Sequence, residues 1–252
     1  MKLTFLGTGT SVGVPTIGCK CRVCTTDAHD KRLRASALVE SGDTRILIDC
    51  GPDFRQQMLG LDFKRIDAVL LTHVHYDHVG GLDDLRPFCV FGEIKIYADE
   101  STACRLKQSI SYCFGEHTYP GVPKISLNVV KPHEHFTVGG IDIMPVRVMH
   151  DKLPILGYRI GDLLYITDMK TIDDGEFKYF SGVKTLVVNA LRFKKEHHSH
   201  LTAEQALAFA DKVGAQQTFF THMGHDIGLH EETNRILPGN VKLAYDGQVV
   251  MV

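Results

Sequence analysis

Apolar residues recur along the chain in short runs, many of them alternating with polar residues, and turn-forming residues separate the runs. Such runs predict strands, and three further segments with N-capping residues predict helices. The predicted strands cover residues 2–6, 35–40, 45–49, 66–72, 94–98, 141–149, 156–160, 163–167, 184–191, 217–221 and a final pair within 241–250 that turns at Asp246-Gly247. The predicted helices cover residues 53–59, 99–109 and 202–213, capped by Asp53, by Asp99 or Ser101, and by Thr202.

One of these strands leads directly into a group of metal-binding residue types. The run 66–72 predicts a buried strand, and the sequence His73-Val74-His75-Tyr76-Asp77-His78 follows it. In an extended segment the first two histidines point the same way, whereas Asp77 and His78 come after the chain turns. Imidazole and carboxylate are ligands that zinc, manganese and iron accept. The spacing therefore suits two metal ions better than one.

Several other predicted strands also end on residues that could bind a metal. The strand ends are Asp49, His73, His150, Asp168 and His222. Strands that present such residues at one edge of a sheet are a common way to build a site. For Asp49 two interpretations stay open, because it could orient a ligand or cap a turn.

A second cluster consists of thiols. Cys19, Cys21 and Cys24 lie within six residues, a spacing that is poor for disulfides but can converge on one zinc with a fourth ligand from elsewhere. The alternative is a set of unrelated reduced cysteines. The other four cysteines lie singly in apolar surroundings and are predicted to be core residues: Cys50, Cys89, Cys104 and Cys113.

Composition narrows the class of protein. A chain of 252 residues with 44% hydrophobic content can bury a large core, and without a linker-like segment a single domain over 1–252 is expected. A net charge of −2 gives no overall electrostatic signature for nucleic acid. The first residues lack a signal-peptide pattern, and no run approaches the ~20 apolar residues of a membrane span. Seven cysteines without such a signal predict reduced thiols and a cytoplasmic location.

The ligand-type residues, in this order and at these strand ends, resemble the metallo-β-lactamase superfamily over essentially the whole chain. The resemblance implies an α/β (α+β) fold, namely a four-layer αββα sandwich of two mixed sheets with helices outside. It places His73, His75 and His150 on one metal, and Asp77, His78 and His222 on the second. Asp168 would bridge both metals, and a carboxylate here is similar to the ribonuclease Z and phosphodiesterase branches.

Two further motifs resemble narrower groups. The sequence Gly7-Thr8-Gly9-Thr10-Ser11-x-Gly13-x-Pro15, followed by the thiol cluster, is similar to PhnP-type cyclic phosphodiesterases. That similarity implies a structural zinc on Cys19, Cys21, Cys24 and His225. The segment His200-x-Thr202-Ala203-x-Gln205-Ala206 resembles the ribonuclease Z enzymes and implies that His200 is a catalytic histidine near the leaving group.

These resemblances predict a metal-dependent phosphodiesterase that hydrolyses small, cyclic phosphodiesters with a hydroxide bridging two metals. Its cofactors would be two catalytic divalent metals, zinc or manganese, and one structural zinc, with Asp77, Asp168 and His200 in catalytic roles. The expected partners are a small phosphodiester and a second copy of the chain in a homodimer, but no membrane and no nucleic acid larger than nucleotides. The alternatives are ribonuclease Z-like RNA processing, hydrolysis of a carboxyl ester or thioester, and a metal-binding protein without turnover.

The sequence also leaves open which residues outside the set of metal ligands contact the substrate. The glycine-rich turn 7–13 is expected near the site, although it lacks the ending of a phosphate-binding loop. Arg32 and Arg34 could contact phosphate or form a solvated face. Glu116 and His117, in an aperiodic stretch, are further candidates for substrate contact.

Overall fold

The computed structural model of the protein describes residues 1–26, 28–115 and 121–252. Glu116 and His117 lie outside these described residues. Fourteen strands are present in the described part of the chain: β1 (Lys2–Gly7), β2 (Ser36–Ser41), β3 (Thr44–Ile48), β4 (Ala68–Leu70), β5 (Ile94–Ala98), β6 (Ile125–Val129), β7 (Phe136–Val138), β8 (Ile141–His150), β9 (Leu153–Ile160), β10 (Leu163–Tyr165), β11 (Thr185–Asn189), β12 (Gln217–Thr221), β13 (Val241–Leu243) and β14 (Val249–Met251).

These strands form two mixed sheets of seven strands each. One sheet has the order β14-β1-β2-β3-β4-β5-β6, and the other has the order β13-β12-β11-β10-β9-β8-β7. In the first sheet β3 to β6 run parallel to one another, and in the second β10 to β13 do. Because the carboxyl ends of parallel strands meet at one edge, each sheet presents a row of strand ends.

Helices lie on the outer faces of the sheets. The α-helices are α1 (Phe54–Met58), α2 (Tyr76–Val79), α3 (Glu100–Ser109), α4 (Ala203–Val213) and α5 (His230–Ile236). Short 3₁₀ helices cover Ala28–Asp30, Leu82–Phe91, Ser111–Cys113, Asp174–Phe180 and His225–Ile227. Thr202 caps α4 as predicted and forms a capping box, with Gln205 N–H donating to the Thr202 hydroxyl and the Gln205 side chain accepting from Thr202 N–H.

Three layers of apolar packing hold this arrangement together. Between the sheets, residues of both are packed into one cluster, in which the rings of Phe5 and Phe219 have centroids 5.5 Å apart. Phe54 of α1 packs against the outer face of the first sheet, and Phe209 of α4 packs against that of the second. Helix, sheet, sheet and helix therefore follow in four layers, which confirms the predicted fold class. Among the described residues, no helix combines the length and apolar character that crossing a membrane requires.

Two local predictions are wrong: the strand pair of the tail, and the core position of Cys104, which is exposed. The tail was expected to form a strand pair around Asp246-Gly247, but β13 joins the second sheet beside β12 and β14 joins the first beside β1. The tail therefore connects the two sheets. Asp53 does occupy the N-cap of α1, but its side chain makes no capping hydrogen bond and accepts instead from the backbone and guanidinium of Arg34.

The strand before the histidine motif is also shorter than predicted, for a structural reason. β4 ends at Leu70, and the carbonyl oxygens of the next two residues accept hydrogen bonds from the other sheet. The Tyr158 hydroxyl donates to Leu71 O at 2.6 Å, and Leu156 N–H donates to Thr72 O at 2.9 Å. These bonds place the start of the motif between the two sheets.

Candidate metal centre

The first group of the candidate centre consists of three imidazoles at the ends of β4 and β8. His73 and His75 follow β4, His150 ends β8, and the nearest ligand atoms of all three lie within 4.8 Å of one another. The His150 ring lies between the other two and His200, with centroids 5.5 Å from His73, 5.2 Å from His75 and 4.7 Å from His200.

Hydrogen bonds determine which imidazole nitrogens keep a lone pair that could bind a metal. Nδ1 of His150 lies 2.8 Å from Asp168 O and 2.9 Å from Ser199 O, and because carbonyls only accept, this nitrogen carries the proton. Nδ1 of His73 lies 3.0 Å from the hydroxyl of Thr72, which donates its own proton to a carboxylate. In both rings the lone pair is therefore on Nε2, the atom that faces the cluster.

The second group is formed by Asp77, His78 and His222, with Asp168 beside it. Nε2 of His78 lies 3.1 Å from a carboxylate oxygen of Asp77 and 3.1 Å from one of Asp168. Nε2 of His222 lies 3.4 Å from Asp77 and 3.2 Å from Asp168. Asp168 also shares a cluster with His73, so its carboxylate lies between the two groups. This is the position that a bridging ligand needs.

The donor set fits divalent cations. Nε2 of His73 is buried and has no hydrogen-bond partner among the described residues, and Nε2 of His78 is buried beside two carboxylates without a well-directed hydrogen bond to either. An unpartnered buried nitrogen is costly, and a cation at each position would satisfy it. Imidazole and carboxylate suit zinc and manganese alike. The individual ligand assignments made from the sequence remain predictions that this geometry supports.

Charge interactions keep the carboxylates ionised. Burial alone raises the pKa of Asp168, but His222 and His78 outweigh it and hold this pKa well below its usual value. For His73, burial and the neighbouring His78 lower the pKa well below its usual value. The carboxylate is therefore anionic and the His73 imidazole neutral near pH 7, which are the forms that bind metals.

Three residues of this region have a left-handed backbone although none is glycine. The φ angles are 58° at Asp49, 55° at Asp168 and 53° at His222. For residues with a Cβ this conformation costs roughly 1–2 kcal/mol. Asp49 and His222 directly follow β3 and β12, and Asp168 follows β10 after two residues. The strain lets each chain turn sharply at the sheet edge while its side chain still points toward the centre.

His200 adjoins the centre without belonging to either group. Its Nδ1 lies 3.5 Å from Oδ1 of Asp168, and its ring stacks against His222 with a centroid distance of 4.9 Å. Burial and His222 lower the pKa of His200 to about 3. The ring lines a cavity of about 310 Å³ together with Thr10 and Ser11 of the glycine-rich turn and Arg192. The turn therefore lies near the site, as expected.

The thiol cluster converges on one imidazole nitrogen. The distances to Nδ1 of His225 are 3.2 Å from Cys19 Sγ, 3.4 Å from Cys21 Sγ and 3.3 Å from Cys24 Sγ. All three cysteines are free thiols. Three sulfurs around one nitrogen match the donor set of a tetrahedral zinc site. His225 begins the 3₁₀ helix His225–Ile227, three residues beyond His222.

The two arginines that the sequence offered as phosphate contacts bind other groups of the protein. Arg32 is buried, and its guanidinium donates to the Thr8 hydroxyl and to Ala244 O, so it is neither a phosphate contact nor part of a solvated face. Arg34 is bound to Asp53. Sequence reasoning missed Thr72, whose hydroxyl connects His73 to Asp49. Its position just before His73 is a local signal, but its role depends on a partner from another strand.

Two mixed sheets between layers of helices, with imidazoles and carboxylates at the strand ends, define a metallo-β-lactamase-fold hydrolase. The chain belongs to the β-lactamase superfamily, because residues 44–223 match the β-lactamase superfamily domain. This fold implies bound divalent metals.

Known proteins that are similar to this chain are named for several different activities. A solved structure of a diphosphatase from the PhnP family is 40% identical, covers 100% of this chain and 97% of its own, and superimposes with a TM-score of 0.92. The octanoyltransferase of Porphyromonas gingivalis is 45% identical over 98% of this chain, which spans only 51% of that protein. Ribonuclease Z of Bradyrhizobium diazoefficiens is 27% identical over 99% of both chains.

Proposed function

We propose that the protein is a metal-dependent phosphodiesterase that acts on small, cyclic phosphodiesters. The observation that carries this proposal is His200, an imidazole beside the carboxylate of Asp168 that also lines a cavity with Ser11 and Arg192. Hydrolysis of a phosphodiester expels an alkoxide, and such a leaving group needs a proton donor close to the site of attack. A thioester expels a thiolate, which needs no proton donor, so hydrolysis of that substrate has less need of a histidine in this position.

Different residues have different roles in the proposed reaction. Metal ions in the two groups, once bound, would activate water and neutralise charge on the phosphoryl oxygens. Hydrogen bonds from Nδ1 hold His73 and His150 with Nε2 toward the centre. His200 donates a hydrogen bond or a proton to the departing oxygen. An anionic phosphate beside this ring would oppose the lowering of its pKa, because opposite charges favour the imidazolium.

A second candidate is hydrolysis of a diphosphate, that is, of a phosphoanhydride bond. It is favoured by the similarity to the PhnP-family diphosphatase, at 40% identity over the full chain. Both reactions attack phosphorus and use the same charge-stabilising groups. They differ in the leaving group. A phosphate leaves more easily than an alkoxide, so hydrolysis of a diphosphate depends less on His200.

Carboxyl ester, thioester and RNA substrates are the remaining alternatives. The name octanoyltransferase belongs to a protein about twice as long as this chain, so it supports acyl chemistry only weakly. Binding of a structured RNA would require phosphate contacts, and a net charge of −2 does not favour them. The free thiols are compatible with a reducing compartment such as the cytoplasm, and a homodimer remains a prediction.

The test is a substrate panel with metal analysis on the same preparations. The panel holds ribose cyclic phosphates, 2′,3′- and 3′,5′-cyclic nucleotides, linear dinucleotides, a nucleoside diphosphate ester and a thioester. We expect the highest kcat/KM on a cyclic phosphodiester. Highest activity on the diphosphate would select the second candidate, and turnover of the thioester alone would overturn both. Asp168→Ala should abolish turnover, whereas Asp162→Ala, an exposed aspartate paired with Lys184, is the matched control.

A further inference from the structure

A second cavity of about 700 Å³ opens beside the metal centre, on the side of His75. Its walls include the apolar side chains of Val79, Leu82 and Leu106 and the phenol rings of Tyr76 and Tyr112. Cavities of this size and mainly apolar character bind small organic groups. Because His75 belongs to the first candidate group, a molecule bound in this cavity would lie next to that group.

Tyr76 stands out among the residues of this cavity. It lies inside the motif, between His75 and Asp77, yet 71% of its surface is exposed. A Cβ on Gly80 would come within 2.7 and 2.8 Å of two atoms of the Tyr76 ring. The ring therefore lies directly over the glycine, and the missing side chain makes that position possible. One face of the phenol is supported by α2, whereas the side chain as a whole stays accessible.

Polar groups surround this aromatic surface. The Tyr112 hydroxyl donates to Oδ1 of Asp83 at 3.0 Å, and the Arg86 guanidinium bonds the same carboxylate at 2.7 Å. Gln108 and Ser109 of α3 also line the cavity and offer both donors and acceptors. An aromatic ring with hydrogen-bonding groups nearby is the combination that binds a planar heteroaromatic ring.

The two cavities lie next to different residues of the centre. His75 borders the cavity of Tyr76, and His200 borders the cavity of about 310 Å³. The centroid of the His150 ring lies 5.2 Å from that of His75 and 4.7 Å from that of His200. A substrate whose phosphorus sits at the centre can therefore place one substituent in each cavity. The cavity beside His200 suits the departing oxygen, because His200 and Arg192 line it and can donate hydrogen bonds.

We propose that the cavity beside His75 binds the nucleobase of a nucleotide substrate, stacked on Tyr76. This inference rests on the phosphoester hydrolysis proposed above and names the substrate class as nucleotides rather than base-free sugar phosphates. Tyr76 would then determine specificity, because a base stacked on it positions the attached phosphate at His75 and Asp77. Stacking is tolerant of base identity, so we expect purines and pyrimidines both to bind.

The test measures binding rather than turnover. AMP and ribose 5-phosphate share the sugar and the phosphate and differ in the base, and both are titrated into the metal-loaded protein by calorimetry. We expect wild-type protein to bind AMP about 10-fold more tightly, the scale of one stacking interaction, and Tyr76→Ala to remove this preference. Tyr76→Phe keeps the ring and should keep the preference. Phe63→Ala removes an exposed aromatic side chain outside the cavity and serves as the matched control.

The outcomes separate this inference from the proposed function. A preference for AMP that Tyr76→Ala removes supports the base site, even if no phosphodiester in the panel is hydrolysed, in which case only the proposed function fails. Equal affinities for AMP and ribose 5-phosphate in wild-type protein overturn the base site, even if a sugar phosphodiester is hydrolysed. A preference that persists in Tyr76→Ala overturns the role of Tyr76.

Discussion

The Oδ2 atom of Asp49 lies 2.7 Å from Nδ1 of His78, and both side chains are fully buried. The same carboxylate accepts hydrogen bonds from the backbone and hydroxyl of Thr72, and that hydroxyl in turn lies 3.0 Å from Nδ1 of His73. Asp49 therefore orients one imidazole of each candidate group. Of the two interpretations that the sequence left open, orientation of a ligand is the one that these contacts support.

Replacement of Asp49 by asparagine should weaken metal binding without removing a ligand. The amide cannot accept as strongly from Nδ1–H of His78, so the ring loses basicity and fixed orientation. Losses of about 10–100-fold in metal affinity are typical of such partners. Competition with a chromophoric chelator measures this change. The control is Asp43→Asn in the exposed turn between β2 and β3, and an unchanged affinity in Asp49→Asn would contradict the role.

His200→Ala should affect substrates according to their leaving groups. We expect kcat to fall on the order of 100-fold or more for an alkoxide leaving group, since proton donation contributes that much. A p-nitrophenolate leaving group needs no proton and should show a much smaller loss. Steady-state kinetics on the two substrates measures the ratio. His198→Ala changes an exposed neighbouring histidine and is the control, and equal losses on both substrates would exclude proton donation.

Cys21→Ser should remove one metal from the protein and lower its stability. Three thiolates and His225 form the thiol site, and the binding energy of a structural zinc contributes directly to folding. We expect the loss of one zinc equivalent by elemental analysis and a fall in Tm on the order of 5 °C. Cys104→Ser, an exposed thiol elsewhere, provides the comparison. A variant that keeps its wild-type Tm while lacking that zinc would show that the site is not structural.

Asp246 should make the protein less stable as the pH rises from about 4 to about 6. Burial raises the pKa of this carboxyl to about 6 from its usual 3.8, although hydrogen bonds from Leu33 N–H and the Thr8 hydroxyl oppose the shift. The folded state then binds the proton more tightly than the unfolded state. The stabilising contribution is full below pH 4 and is lost as the pH passes through 6.

Chemical denaturation of wild-type protein and Asp246→Asn at pH 4.5 and pH 7 checks this effect. A shift of this size is worth up to about 3 kcal/mol, and partial exposure of the side chain reduces the expected value to about 1–2 kcal/mol. The unfolding free energy of wild-type protein relative to the variant should be lower at pH 7 by this amount. Other titrating groups occur in both proteins and cancel. A pH-independent difference between the two proteins would refute the prediction.

The sequence predicts the features that depend on neighbouring residues. The motif from His73 to His78 and the thiols from Cys19 to Cys24 each place several ligand types within six residues, so their chemistry is visible without a structure. Strand-end positions such as His150 and His222 follow from the apolar runs before them. The assignment of each residue to a metal group rests on family resemblance and stays a prediction, which the clusters of ligand atoms support.

Features that depend on distant residues could not be predicted. Arg32 lies in a basic segment that suggested phosphate contact or solvent, but it is buried because Thr8 and Ala244 O, far away in sequence, accept its hydrogen bonds. Strand β6, Ile125–Val129, was not predicted, because only its first residue is fully buried and its pattern is weak. Left-handed backbone at Asp168 and His222 has no sequence signal, since neither is glycine.

The segment from His222 to His225 connects the carboxylate cluster with the thiol cluster through three residues. His222 points to the Asp77 and Asp168 carboxylates, while His225, three residues on, points to the thiols. A metal bound at one end of so short a segment would restrict its backbone. The conformational entropy that a second metal removes at the other end would then change. By thermodynamic reciprocity, the factor by which zinc at the thiols changes affinity at the carboxylates equals the factor in the opposite direction. We therefore expect metals to bind at the two clusters cooperatively rather than independently.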